Sequence, residues 1–283
     1  MAVDCEGCAG CCIDWRPLTG RDVDHERAGP FEPVDDTDNL VPLAGEEVRA
    51  FVAAGYGDAL RPRLWRAEDD RSVTLDGVDV AAIDDRPVFF VGLRKPPKPV
   101  GPFGRAVAWL RSCVFSDPTT RQCRIHGGDT YPDACATYPG ENLLLDTETE
   151  CERVEGVYGG RRLLDDDAPD VTPLLGPATV GERVFAHPDP DRVAGSIGRF
   201  RDGALTREDR AEFVAVAAGS SPGTLSVTDE RYESVVETVL RAESWAGRAI
   251  DRWERAADTP GERATGAPDP TGVEDGAPPT PGW

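Results

Sequence analysis

Half of the cysteines in this chain fall within eight consecutive positions. The stretch CEGCAGCC places thiols at Cys5, Cys8, Cys11 and Cys12, and the other four follow far downstream at Cys113, Cys123, Cys135 and Cys151. Two residues between cysteines let both thiolates turn back onto one cation, the knuckle of many zinc sites, with Zn–S bonds of about 2.3 Å. Here that spacing occurs twice in tandem, Cys5 to Cys8 to Cys11, which is also how a cubane iron–sulfur cluster collects three of its ligands. Neighbouring side chains diverge, so Cys11 and Cys12 are poorly placed to ligate the same ion. The pair points to two metal sites, a bridged cluster, or one thiol left over. The eight thiols suffice for two four-cysteine sites. Burial of free cysteines as small hydrophobes would explain neither the clustering nor Gly7 and Gly10, which open the backbone between the ligands. If one site draws on both groups, the metal ties the N-terminus onto the central loops and contributes directly to folding.

Compartment bears on this reading. The N-terminus MAVDCEG lacks the basic and apolar segments of a signal peptide, and no apolar run approaches the ~18 residues of a membrane span. The expectation is a cytoplasmic protein with no membrane association. In a reducing compartment thiols are more often metal ligands or catalytic groups than disulfides. The charge balance is the second constraint. Asp and Glu number 52 against 31 Lys and Arg, a formal net charge of -21, and only Lys95 and Lys98 are lysines. Such a surface repels polyanions and is the balance of salt-adapted proteins. Nucleic-acid binding through a basic footprint is disfavoured. The acids are spread over the chain, which argues against a dedicated basic partner.

The length permits a hydrophobic core without cysteine staples. The patterning predicts an α+β fold: a loop-rich, metal-stapled body at about 1–160 with a small antiparallel sheet, a helical region at 161–257, and a disordered acidic Pro/Gly-rich tail at 258–283. Within the body, 13–19 reads as a short strand, 21–29 as a short helix, 30–42 as a loop, and 44–55 as a helix stopped by Gly55 and Gly57. Apolar alternation around Asp76-Gly77 is the signature of a tight hairpin, with a third strand at 88–93. Residues 94–104 read as a connector and 103–113 as a helix running into Cys113. The second cysteine group lies in turn-forming sequence, where ligands tend to sit. Downstream, 188–203 and 205–219 read as helices, the second opened by Thr206 and Asp209 as a capping pair. Residues 231–258 carry the strongest helical signal, with Tyr232, Val235, Val236, Val239, Leu240, Ile250 and Trp253 on one face for packing against the body.

The segments CEGCAGCC (5–12), PLTGRDV (17–23), CVF (113–115), CRIH (123–126) and YPDACATYP (131–139) together resemble the CxxCxxCC zinc- or iron-chelating domain family, the YkgJ-type cysteine-cluster proteins. That family has the N-terminal quartet, a Leu-Thr…Asp segment, a C-x-F, a C-x-I-Y and an Arg-Pro-x-x-Cys…Pro element. The resemblance implies that all eight cysteines, Cys151 the last, are metal ligands. Two departures concern the surroundings of the ligands. His126 stands where the family has tyrosine, and Tyr131 stands for the arginine before the proline, after a two-residue insertion in GGDT. The likeness covers about 1–160, interrupted by a long insertion near 30–105, and implies metal chelation without a particular reaction.

His126, three residues after Cys123, reads as a donor to a sulfur rather than as a ligand. His25 and His187, in polar segments, read as solvated. The function expected is chelation of zinc or iron, with an iron–sulfur cluster included, in a structural or metal-handling role. The competing classes are an iron–sulfur redox protein, a metal-dependent modifying enzyme, and a thiol switch at Cys11 and Cys12. The modifying-enzyme class rests on analogy with flagellin lysine methylases, some of which carry a similar cluster. HGGD and YGGR are too short for a nucleotide loop and follow no strand in the required way. No catalytic residue and no protein partner are assigned.

Overall fold

Two turns dictate the sheet. Asp76 and Gly77 both have positive φ, 50° and 75°, and so do Asp84 and Asp85, at 49° and 60°. A two-residue hairpin turn of the primed type demands φ > 0 at both central positions, which Gly, Asn and Asp supply most readily. A computed structural model describes residues 9–18, 32–37, 39–67, 71–101, 106–136, 179–259 and 268–281. In it the first turn joins strand β3 (Ser72–Leu75) to β4 (Val78–Ile83), and the second joins β4 to β5 (Arg86–Leu93).

The fold is α+β. Strand β1 (Glu32–Pro33) pairs with β2 (Leu60–Arg66), which pairs antiparallel with β5 from Leu60↔Leu93 to Leu64↔Phe89. At its far end Arg66 of β2 meets Val80 of β4. Strand β8 (Phe185–Ala186) closes the other edge against Val88 and Phe89. Every pairing in this six-stranded sheet is antiparallel. Both faces of β5 are covered. Phe89, Val91 and Leu93 enter the main core, and Val88 and Phe90 enter a second cluster with Leu40, Trp65 and Ala81. Burial on both sides explains its nearly unbroken apolar run. Gly92 is obligatory here, because a Cβ would collide with the Val41 carbonyl and the Leu40 side chain.

Helix α1 (Gly45–Ala53) lies between β1 and β2, and the helices after β8 pack over the sheet. They are α3 (Pro190–Ala194), α4 (Ile197–Arg201), α5 (Arg207–Gly219), α6 (Asp229–Arg241) and α7 (Trp245–Asp258); a one-turn helix α2 (Asp133–Ala136) lies between the sheet segments. Thr206 and Asp209 exchange side chain-to-backbone bonds of 2.9 and 3.1 Å, the predicted cap of α5. Phe213 of α5 sets its ring edge-on to Phe89 at 4.8 Å and to Phe200 at 5.2 Å. One cluster runs from Val34 to Trp253, so the buried residues before and after position 160 share a core.

Several expectations are corrected. Of the strand expected at 13–19, the described residues 13–18 form none: Ile13 makes a single bridge to Ser112, and Arg16–Leu18 is a 3-10 turn. The presumed connector and helix at 94–113 contain a two-stranded ribbon, β6 (Pro97–Val100) with β7 (Ala108–Arg111). Pro97 and Pro99 lie two apart, so their missing N–H groups fall on one edge, which a two-stranded ribbon leaves without a neighbour. The helical signal at 231–258 is two helices, divided where Ser244 caps α7 through the Gly247 N–H at 2.9 Å. The segment 188–203 is likewise two short helices. His187 is fully buried rather than solvated: its Nδ1 accepts the Asp189 N–H at 3.2 Å, which leaves the Nε2 proton facing Glu212 at 3.1 Å. In the tail, 268–281 is packed on the body and carries helix α8 (Pro270–Val273). The helix expected at 21–29, with His25, lies outside the described residues.

Candidate metal centre

The N-terminal segment is laid onto the second cysteine group by backbone hydrogen bonds. A turn with Ala9 at φ 52° is closed by bonds from the Cys12 and Ile13 N–H groups to the Ala9 carbonyl, at 3.1 and 3.0 Å. The chain then runs antiparallel to 111–113. Asp14 N–H donates to the Arg111 carbonyl at 2.8 Å, and Cys113 N–H donates to the Cys12 carbonyl at 2.7 Å. Ile13 is the anchor, buried with Ala9, Val100 and Leu110. Cys11 and Cys12 are thereby brought to Cys113 across a hundred residues of sequence.

Cys113 opens a loop held by its own hydrophobic residues. Val114 and Phe115 are fully buried, and the Phe115 ring meets Tyr56 at 5.3 Å and Phe51 and Trp245 at 5.7 Å each. The loop returns through Asp117 N–H to the Gln122 carbonyl and Arg124 N–H to the Phe115 carbonyl, at 2.9 and 2.8 Å, which sets Cys123 opposite Ser116. Cys12 and Cys123, both half-buried, border the same core cluster that contains Cys113.

Cys135 sits on α2. The N–H of Asp133, first in that turn, donates to Glu47 Oε1 at 2.7 Å, while Glu47 Oε2 accepts the Ala44 N–H at 2.6 Å. Burial pushes the Glu47 carboxyl above its usual range, and these two N–H groups oppose that rise. Tyr131 donates its hydroxyl to the Cys135 carbonyl at 2.9 Å and packs its ring on His126 at 4.7 Å. The two positions that depart from the resembled family therefore touch each other and the Cys135 turn.

Both lysines of the chain face this region. Lys95 Nζ donates to the Cys11 carbonyl at 2.8 Å. Lys98 Nζ donates to the carbonyls of Val114 and Ser116 at 2.8 and 2.7 Å, and to Glu274 Oε1 at 2.7 Å. Burial pushes the Cys113 thiol above its usual range, and neighbouring backbone N–H groups and the Lys98 and Lys95 charges only partly oppose that rise. A bound cation would be needed to hold such a thiol deprotonated. Among the described residues, no three His, Cys, Asp or Glu side chains converge tightly enough to hold an ion. Cys5, Cys8 and Cys151 lie outside the described residues. Also among the described residues, no helix is long and apolar enough to cross a membrane.

Sequence reasoning did not find Lys98, Glu47 or Glu274 as parts of this region. The restriction of lysine to positions 95 and 98 was the available signal for the first; the two carboxylates had none. No curated protein and no solved structure matches the chain. The model of a family of unknown function, DUF7531, matches residues 1–283, and the chain belongs to that family.

Proposed function

We propose that the protein chelates a metal, zinc or iron, through cysteines drawn from both groups, in a structural or metal-handling role in the cytoplasm of a salt-adapted organism. The observation that carries this reading is the Cys113-to-Cys12 backbone bond at 2.7 Å, which joins the two halves of the cysteine set. The resemblance of the cysteine segments to the CxxCxxCC chelating family supports it. Cys11, Cys12, Cys113, Cys123 and Cys135 would supply thiolates, together with Cys5, Cys8 and Cys151. A bound cation would keep these thiols deprotonated despite burial and tie the N-terminal turn to the loops. The lysines would offset the negative charge of the thiolate set, with Lys98 fixing the Cys113 loop and Lys95 the Cys11 carbonyl.

The test is elemental analysis with a visible spectrum on untagged protein purified without air in high salt. Wild type is expected to carry zinc without colour, or iron with matching sulfide and a band near ~400 nm of the kind thiolate-held clusters give. Cys12→Ser and Cys113→Ser are each expected to lose most of it. Unchanged metal content in both variants would sink the proposal.

A further inference from the structure

Glu274 lies 150 residues downstream of Arg124 in a segment whose composition predicts disorder, yet its carboxylate is completely buried. It accepts from three side chains. Oε1 takes Lys98 Nζ at 2.7 Å and Trp253 Nε1 at 3.1 Å, and Oε2 takes Arg124 Nε and Nη2 at 3.1 and 2.8 Å. Each of the two cations leads to a cysteine turn. The remaining Lys98 bonds go to Val114 and Ser116, which flank the Cys113 loop, so all three ammonium protons are used. Arg124 follows Cys123 directly, and its guanidinium also reaches Asp117 Oδ2 at 3.0 Å and the Pro278 carbonyl at 3.0 Å.

The strap is itself held in place. Asp269 caps α8 through the Thr271 N–H at 3.0 Å, and Arg252 of α7 donates to the carbonyls of Gly272 and Val273 at 2.8 and 3.2 Å. An ammonium and a carboxylate both removed from water attract strongly, and loss of either leaves an uncompensated buried charge.

We propose that Glu274 is a positioning residue of the cysteine centre: through Lys98 and Arg124, the C-terminal strap fixes the Cys113–Cys123 loop in the geometry that receives the metal. The positioning stands on this geometry alone, whereas its effect on metal retention rests on the chelation reading. A docked strap holds both cysteine turns; an undocked one releases them together, so metal retention depends on a segment that supplies no ligand.

The experiment compares wild type with Glu274→Gln and Arg124→Gln in the full chain. A core variant away from the strap, Phe200→Leu, controls for general loss of stability. The first readout, on metal-free protein, is hydrogen exchange of the 113–124 amides. The second is the rate at which zinc-loaded protein yields zinc to a chelator. Both strap variants are expected to accelerate exchange at 113–124 by at least about tenfold over the control, because a buried charge loses its partner. Zinc loss should quicken by about tenfold, the usual scale for residues that orient ligands. If Glu274→Gln does not fold, Arg124→Gln, at a less deeply buried site, carries the same comparison. Accelerated exchange in a protein whose wild type takes up neither zinc nor iron would uphold the positioning and overturn the chelation reading. Exchange and zinc loss no faster than in Phe200→Leu would overturn the proposal.

Discussion

At the scale of single residues, the strongest determinant away from the cysteines is Asp35. It is buried between two buried guanidiniums. Arg61 Nη2 bonds Asp35 Oδ2, Arg63 Nε and Nη2 bond Oδ1 at 3.2 and 2.9 Å, and the Thr37 N–H adds a bond at 3.2 Å. Arg63 also lies over the Trp65 ring at 5.5 Å, which gives its flat cation a second attractive surface. Burial is the largest influence on Asp35 and opposes its ionisation, but Arg63 and Arg61 outweigh it and hold the carboxyl below its ordinary range. A carboxyl depressed in the folded state contributes its full stability above about pH 4, where the unfolded chain is also ionised. That contribution is lost as pH falls through the lowered folded value. Asp35→Asn leaves two buried cations without a counter-charge and is expected to cost about 3–5 kcal/mol by urea denaturation at neutral pH. The variant should also lack this part of the decline in stability between about pH 5 and pH 2. A wild-type acid profile in the variant would refute the assignment.

At the scale of elements, sequence legibility tracked whether one local rule decided the outcome. The Asp76-Gly77 hairpin and the Thr206 cap were readable because a short motif fixes each backbone conformation. Strand β2 was not. Its alternation puts Leu60 and Leu64 on one face and Arg61, Arg63 and Trp65 on the other, and two arginines on a buried face have no local explanation until Asp35 is known to meet them. Pro97 and Pro99 disguised β6 in the same way, because their tolerance depends on which edge lacks a neighbour. The cysteine set was legible as a pattern, but its supports were not: Lys98, Glu47 and Glu274 act across long separations. The α6–α7 break also depends on a distant group. Ser244 donates its hydroxyl to Asp58 Oδ1 at 2.6 Å and its N–H to Asp58 Oδ2 at 2.9 Å, while its Oγ caps Gly247. Gly247 has no room for a Cβ, which would strike the Asp58 carboxylate. Ser244→Ala removes the cap and one Asp58 bond together. The expected loss is about 1–2 kcal/mol, at the upper end for an N-cap, seen as a lower melting temperature with unchanged helical content.

At the scale of the whole molecule, the opposing terms are a shared core and a large charge of one sign. One apolar cluster joins the sheet, α1 and the helices from α3 to α7. Around it the net charge of -21 repels itself in the folded state more than in an expanded chain. Ion pairs recover part of this: Arg199 with Asp209 at 2.6 Å, Arg192 with Glu212 at 2.6 Å, and Arg94 with Glu254 at 3.0 Å. With 52 acids and 31 basic residues, most of the repulsion has no such partner and is left to counter-ions. Salt shortens the screening length from about 10 Å at 0.1 M to about 3 Å at 1 M, which removes repulsion between well-separated surface acids and spares the buried pairs. The melting temperature should therefore rise steeply as potassium chloride increases over that range and flatten beyond it, once the screening length is below the spacing of the surface acids. Replacing a set of solvent-exposed acids, Glu230, Glu233 and Asp251, by glutamine and asparagine should raise stability at low salt and leave the high-salt value almost unchanged. These three lie on α6 and α7, away from Asp35, Glu47 and Glu274, so the substitutions test charge without touching the core or the cysteine centre. An equal gain at both salt concentrations would mean that these acids destabilise through local helix effects instead of through the collective charge.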